Sequence, residues 1–446
     1  MKTPICDFIT QYTARNTIRL HMPGHKGVKS LGPEELDITE IEGADSLYEA
    51  NGIIRESEEI ASYLFGANTF YSTEGASQCI RAMVYLAALW AKANHRAPLI
   101  AAGRNAHKSF MMAAALCDLD VSWLYPEGEG NYLSCPISAE TVEQMLLSAK
   151  EKPAAVYITS PDYLGNMVDI ASIAAVCHRH DVLLLVDNAH GTYLKFLPQS
   201  CHPIDCGADL CCDSAHKTLA VLTGGAYLHV SRQASPMLVR EAKAALAMFG
   251  STSPSYLILE SLDYANQLIE TYPARLVSYI PTIDNLRVAL QANGYEMQGD
   301  EPLKITLCPK SYGYTGKELA AILETHNIVV EFADRDHVVM MLTPMLGNHV
   351  LHHLQDVLLS VPRRAPICES GPRVPRLARV LSLREASFLP RERIPAAESE
   401  GRILAAATVG CPPAVPIVVC GERISREAVE AFAYYGIEEC VVILEE

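Results

Sequence analysis

Between residues 69 and 230 the chain alternates short, almost wholly apolar runs with longer stretches whose apolar positions recur every three to four residues. The first pattern predicts buried strands and the second predicts amphipathic helices. Strands are expected at 69–72, 99–102, 121–124, 154–159, 182–186, 208–212 and 226–230, with helices at 77–93, 139–150 and 170–180 between several of them. Such alternation implies an α/β fold, a mostly parallel sheet covered on both faces.

The pattern differs on either side of this block. Residues 1–20 read as a helix, 21–27 as a turn-rich segment with paired glycines and two histidines, and 54–65 as a helix ending at Gly66. This polar, irregular entry is expected to be a docking arm or pocket rim. Residues 231–280 are largely helical. From 283 the order is helix to Ala292, strand 303–307, helix 316–325, strands 328–332 and 337–342, and helix 350–359. A proline- and arginine-rich linker at 361–376 should be exposed and extended, and 399–407 is expected to be helical. The domains expected are an N-terminal arm and helix over 1–68, a large domain over 69–282 and a smaller C-terminal α/β domain over 283–446.

Polar residues cluster where the predicted strands end, which is where open α/β sheets bind ligands. The segment 182–186 runs into Asp187-Asn188-Ala189-His190-Gly191, and 208–212 runs into Asp213-Ser214-Ala215-His216-Lys217. A lysine there can hold an aldehyde cofactor as an imine, and a nearby aspartate can keep a pyridine nitrogen protonated, so the pair points to pyridoxal 5′-phosphate. Upstream, Glu74-Gly75-Ala76-Ser77-Gln78 joins a strand to a long helix and offers backbone N–H groups and a hydroxyl at a positive helix end, a place suited to phosphate. A glycine turn with a serine cap is the competing reading. His107, after the strand at 99–102, sits where an imidazole can stack on a planar ring.

Composition narrows the class. The 446 residues are 49% hydrophobic and 20% charged, as expected for a folded, enzyme-sized chain. Thirty-six basic against 52 acidic residues give a formal charge of −16, which argues against nucleic-acid binding and suits a cationic small-molecule substrate. No stretch has the length and apolarity of a membrane span. Fourteen cysteines without framework spacing, and no basic-then-apolar opening segment, point to a reducing cytoplasm.

The motifs HMPGHKG at 21–27, DITEIEGADSLY at 37–48, RNAHKS at 104–109, TSPDYLG at 159–165, DNAHG at 187–191, SAHKTL at 214–219, STSPSY at 251–256 and CPPAVPIVVCGE at 411–422 occur in one order along nearly the whole chain. Together they resemble the Orn/Lys/Arg decarboxylase family of fold-type-I pyridoxal-phosphate enzymes, in the short form. The resemblance implies that Lys217 carries the cofactor as an imine, Asp187 pairs with its pyridine nitrogen, His107 stacks on its ring and His216 lies near cofactor and substrate. It also implies that Gly75, Ala76, Ser77 and Ser214 form the phosphate cup, with His190 close to the cofactor. Ala76 stands where the family commonly has a hydroxyl. The segment holding Ser251 and Thr252 matches the one that reaches a neighbouring subunit's cofactor, which implies a homodimer or larger homo-oligomer. The family pattern has an aromatic residue at Cys411, a glycine at Ala414 and a proline at Cys420.

The reaction implied is decarboxylation of arginine, lysine or ornithine to its amine, with the proton returned to Cα by Lys217 or His216. A basic substrate side chain needs a carboxylate, and Glu422, Asp45 and Asp162 are the candidates, each equally able to be a cap or internal acceptor. Alternatives are another pyridoxal-phosphate reaction on the same fold, such as transamination or elimination, and a non-catalytic paralogue that keeps the pocket. Cys201, His202, Cys206, Cys211 and Cys212 match no standard zinc spacing, and the histidines at 349, 352 and 353 lack a partnering glutamate, so no metal is expected.

Overall fold

The computed structural model describes residues 1–126, 132–411 and 415–445. In chain order its helices and strands are α1 (Pro4–Ala14), α2 (Ile53–Phe65), β1 (Asn68–Ser72), α3 (Gly75–Ala93), β2 (Leu99–Gly103), α4 (Lys108–Leu116), β3 (Asp120–Leu124), α5 (Ala139–Ser148), β4 (Ala155–Thr159), α6 (Ile170–Arg179), β5 (Leu183–Asp187), β6 (Leu210–Asp213), α7 (Ala215–Thr218), β7 (Ala226–Val230), α8 (Pro236–Ala247), α9 (Tyr256–Ile269) and α10 (Tyr272–Ala292). They continue with β8 (Met297–Gln298), β9 (Lys304–Leu307), α11 (Gly316–Thr325), β10 (Phe332–Ala333), β11 (Val338–Met341), α12 (Asn348–Ser360), α13 (Leu383–Phe388), β12 (Arg391–Pro395), β13 (Thr408–Cys411), β14 (Val415–Val419), α14 (Arg426–Tyr435) and β15 (Glu439–Ile443). The fold is α/β, and the seven strands expected from the apolar runs all form.

Compactness divides the chain into two units, Met1–Arg96 with Ile170–Ala274 and Ala97–Asp169 with Arg275–Glu446. This division does not use the boundaries expected at 68 and 282. In the first unit the strand order is β1-β7-β6-β5, with β5 and β6 parallel and β7 antiparallel to both β6 and β1. Every residue of β5, Leu-Leu-Leu-Val-Asp, is buried, as befits a strand covered on both faces. Helix α3 buries Ala76, Cys79, Ile80, Met83, Ala87 and Trp90 at three- and four-residue spacing. In the second unit β2 pairs in parallel with β3 and with β4, and β9 lies between β8 and β11, antiparallel to each. A second core there gathers Leu133, Leu164, Val339, Leu404, Ile417, Phe432 and Val442.

Three expected elements are shorter or absent. The first helix stops at Ala14, because Asn16 turns the chain at φ +50. Of the strand expected at 328–332, only Phe332 is in β10. The helix expected at 399–407 does not form. A short 3₁₀ turn, Ala396–Glu398, ends before Gly401 at φ +82, and Ile403 and Leu404 then bridge to Arg423 and Val442. Their backbone groups bond neighbouring segments, which leaves none for a helix. Residues 362–378 form no helix or strand and are mostly exposed, as the linker reading anticipates. His349, His352 and His353 are exposed on α12. Ala414 and the side chain of Cys411 lie outside the described residues, whereas Cys420 is buried and its thiol donates to the Ala405 carbonyl at 3.3 Å. Among the described residues no helix is long and apolar enough to cross a membrane.

Candidate active site

The register of β5 against β6, Leu185 to Leu210 and Asp187 to Cys212, ends both strands at one edge of the first unit. Asp187 is 3% exposed there, and its Oδ1 accepts from the Ala189 N–H at 3.2 Å and the Cys212 thiol at 3.6 Å. The turn that follows is closed by Asn188 N–H to the Cys212 carbonyl at 3.0 Å and Gly191 N–H to the Asn188 carbonyl at 2.8 Å. A Cβ at Gly191 would lie 2.0 Å from Asn188 Oδ1, so the turn has room for glycine alone. It delivers buried His190, whose Nε2 lies 2.9 Å from Lys217 Nζ. Lys217 itself is half-buried on the one-turn helix α7 that follows β6. His216 donates from both its backbone N and its Nδ1 to the Gly225 carbonyl, at 3.2 and 3.0 Å.

The same unit carries the expected phosphate residues. Gly75 opens α3 at φ +72 with its N–H bonded to the Gly224 carbonyl at 2.7 Å, and a Cβ there would meet nothing within 4 Å. The Cβ side of Gly75 therefore faces open space. Ala76 is buried, Ser77 half-buried, and Ser214 is 3% exposed at the cap of α7. Ser251 and Thr252 lie on an exposed loop, tethered by the Ser251 N–H to Glu74 Oε1 at 2.5 Å.

Asp213 stands one residue before Ser214, and the sequence reading gave it no role. It is wholly buried, and its Oδ2 accepts from Nε2 of His202 at 3.1 Å and of His229 at 3.2 Å while its Oδ1 accepts from Asn188 Nδ2 at 2.7 Å. Burial alone would raise its pKa, but the two imidazoles outweigh that and hold the carboxyl well below the ordinary carboxylate range. His229 Nδ1 in turn meets Thr69 Oγ1 at 2.9 Å. Desolvation lowers the His229 pKa despite Asp213. The one signal in the sequence is a histidine inside the apolar run 226–230, since a polar residue in a buried strand needs a partner. His202 and Cys211, whose spacing suggested no site, come together here with Asp213, their ligand-type atoms within 4.8 Å of one another.

The three carboxylates considered for the substrate side chain all have internal work. In the first unit Asp45 takes the N–H groups of Ser46 and Asn51 on Oδ1 and those of Gly52, Ile54 and Arg55 on Oδ2, capping α2. In the second unit buried Asp162 accepts from the N–H groups of Leu164 and Asn166 at 2.9 Å each and from Asn166 Nδ2 at 2.9 Å. Glu422, also buried, accepts from Arg104 Nη2 at 2.7 Å and the Val419 N–H at 2.8 Å. His107, in the second unit, caps α4 by accepting the Ser109 N–H at 3.2 Å.

A lysine poised against an imidazole beside a buried aspartate fits several amine chemistries, and comparison with known proteins narrows them. Residues 3–296 match the model of the Orn/Lys/Arg decarboxylase major domain. The chain belongs to the Orn/Lys/Arg decarboxylase family. It is similar to an arginine decarboxylase of Bacillus anthracis, 30% identical over 466 aligned positions that cover 96% of this chain and 92% of that one. An arginine decarboxylase of Bacillus subtilis is 28% identical over 96% of this chain and 92% of its own. Among solved structures, a lysine decarboxylase of Francisella novicida superposes with a TM-score of 0.77 at 17% identity, covering 99% of this chain and 81% of that one. This family member is an amino-acid decarboxylase, and the solved relatives share its fold.

Proposed function

We propose that this decarboxylase removes carbon dioxide from a basic amino acid, arginine foremost, with pyridoxal 5′-phosphate bound at Lys217. The observation that carries the reading is the 2.9 Å contact of Lys217 Nζ with His190 Nε2 beside the buried carboxylate of Asp187. The residues present fit the cofactor: an amine for its aldehyde, a carboxylate for its ring nitrogen, and the start of α3, with half-buried Ser77 and open space at the Cβ side of Gly75, for its phosphate. When bound, the cofactor supplies an electron-withdrawing ring that stabilises the charge left at Cα as the carboxylate departs.

The chain's own groups do the rest. His190 Nε2 takes a proton from Lys217 Nζ so that the amine can act as nucleophile, and returns it afterwards. Asp187, 3% exposed, would be the residue to pair with the ring nitrogen and favour its protonated form. Lys217 Nζ and the ring of His216 are the two groups for returning a proton to Cα. Arginine is favoured over lysine because the relatives similar along 96% of the chain are named arginine decarboxylases.

The enzyme is also read as a homodimer acting in a reducing cytoplasm. Ile18, Leu20 and Leu31 are 84%, 90% and 92% exposed, an apolar arm that a second copy would cover, and the 251–253 segment of the same unit is exposed as well. Cys79, Cys135, Cys177, Cys211, Cys212, Cys420 and Cys440 are buried thiols outside any disulfide.

The test offers arginine, lysine and ornithine in separate reactions to purified protein with pyridoxal phosphate, measuring carbon dioxide and amine, with sedimentation for the dimer. Release from arginine, abolished in Lys217→Ala, is expected. Intact cofactor absorbance with no release from any of the three would end the reading, and full activity in a stable monomer would end the dimer.

A further inference from the structure

We propose that Asp213 is a positioning residue for the reaction, holding Asp187 and His190 in place through Asn188. The inference rests on the reading of Lys217 and Asp187 as the cofactor-bearing pair. No part of it requires Asp213 to touch substrate or cofactor.

The argument begins with a buried charge. A carboxylate taken wholly out of water is costly unless several donors compensate it. Asp213 has three, His202 Nε2, His229 Nε2 and Asn188 Nδ2, all at 2.7–3.2 Å, and the Cys211 thiol is a fourth at 3.7 Å. Two imidazoles converging on one oxygen fix that oxygen, so the other is fixed too and becomes an anchor for Asn188. Asn188 sits between Asp187 and His190 and is itself bonded through its backbone to Cys212 and Gly191. The side-chain bond from Asn188 to Asp213 therefore sets the orientation of the turn that presents Asp187 at one end and His190, 2.9 Å from Lys217, at the other. A cluster that only stabilised the sheet would not need to reach into this turn. The charged and titratable groups around Asp213 include His202, His229 and Cys211 in contact, with Asp187, Cys79 and Tyr227 nearby.

Displacing reacting groups by about 1 Å costs on the order of a hundredfold in rate. Asp213→Asn keeps the shape but puts an amide where the His and Asn donors need an acceptor. The experiment uses the full chain loaded with pyridoxal phosphate and compares wild type, Asp213→Asn, Asn188→Ala and the double variant by kcat, KM, cofactor dissociation constant, the pH titration of cofactor absorbance and thermal melting. The expected result is a kcat lower by roughly tenfold to a hundredfold in each single variant with KM little changed. A shifted absorbance titration and a double variant no worse than the more impaired single one are also expected, since Asp213 acts through Asn188. If Asp213→Asn does not fold, Asn188→Ala, which leaves the Asp–His cluster intact, carries the same expectations for kcat and titration.

A lower melting temperature with unchanged titration and kcat per folded molecule would overturn the proposal, leaving Asp213 purely structural. Additive losses in the double variant would overturn it as well. So would a stoichiometric metal ion in the purified protein, because His202, Cys211 and Asp213 would then be ligands. Wild type that binds no pyridoxal phosphate would bring down the cofactor reading and this inference together, whereas normal wild type with unaltered variants removes this inference alone.

Discussion

Two buried acids, Glu422 in the second unit and Asp213 in the first, have different kinds of partner, although the first unit also pairs buried Glu58 with Lys243. In the second unit Glu422 faces the Arg104 guanidinium at 2.7 Å and Glu301 faces Lys304 Nζ at 2.6 Å, groups that donate to a carboxylate. In the first, Asp213 faces two imidazoles, and Lys217 itself faces a third. An imidazole can donate from one ring nitrogen and bond onward through the other, as His229 does to Asp213 and Thr69, whereas a guanidinium only donates. Residues that look alike as isolated acids in the sequence are thus separated by the partners they meet in the fold.

The largest effect is expected at Glu422. Replacing it, Glu422→Gln, leaves Arg104 buried without its counter-ion and should cost about 3–5 kcal/mol of stability, read as a fall in urea midpoint, with the KM of the folded fraction unchanged. A normal midpoint with a raised KM would reverse the comparison and return Glu422 to the substrate. A smaller effect is expected at Asp45, in the first unit but held by backbone N–H groups. Asp45→Ala removes a helix cap and should cost about 1 kcal/mol by the same measurement, with KM again unmoved.

The subtlest test concerns a carboxylate with no cation. Glu260, on α9, is pushed up to about 7 by burial and by the neighbouring Asp263. Its folded value exceeds the unfolded one, so the folded state binds the extra proton between about 4.5 and about 7, and stability falls as pH rises through that window. Glu260→Gln should remove that slope, raising the melting temperature at pH 8 relative to wild type and leaving it nearly unchanged at pH 4. Asp213 has the opposite sign. Its depressed pKa contributes stability that is fully present above the unfolded value and lost only as pH falls through the lower folded one.

The sequence by itself determined the seven strands of the alternating block, their α/β class and the polar turns at 187–191 and 214–217, because apolar runs, glycines and strand ends are properties of local order. It failed at 399–407, where a helical composition was overruled by pairing with segments far along the chain. It had no means to tell Asp45, Asp162 and Glu422 from an open substrate carboxylate, since the groups that satisfy Glu422 include an arginine 318 residues away. The contact of His190 with Lys217, and the gathering of His202, Asp213 and His229 behind it, were likewise decided by the tertiary structure. Hydrogen-bond partners and burial set what a titratable group can do, and those depend on which strands lie side by side once the chain has folded.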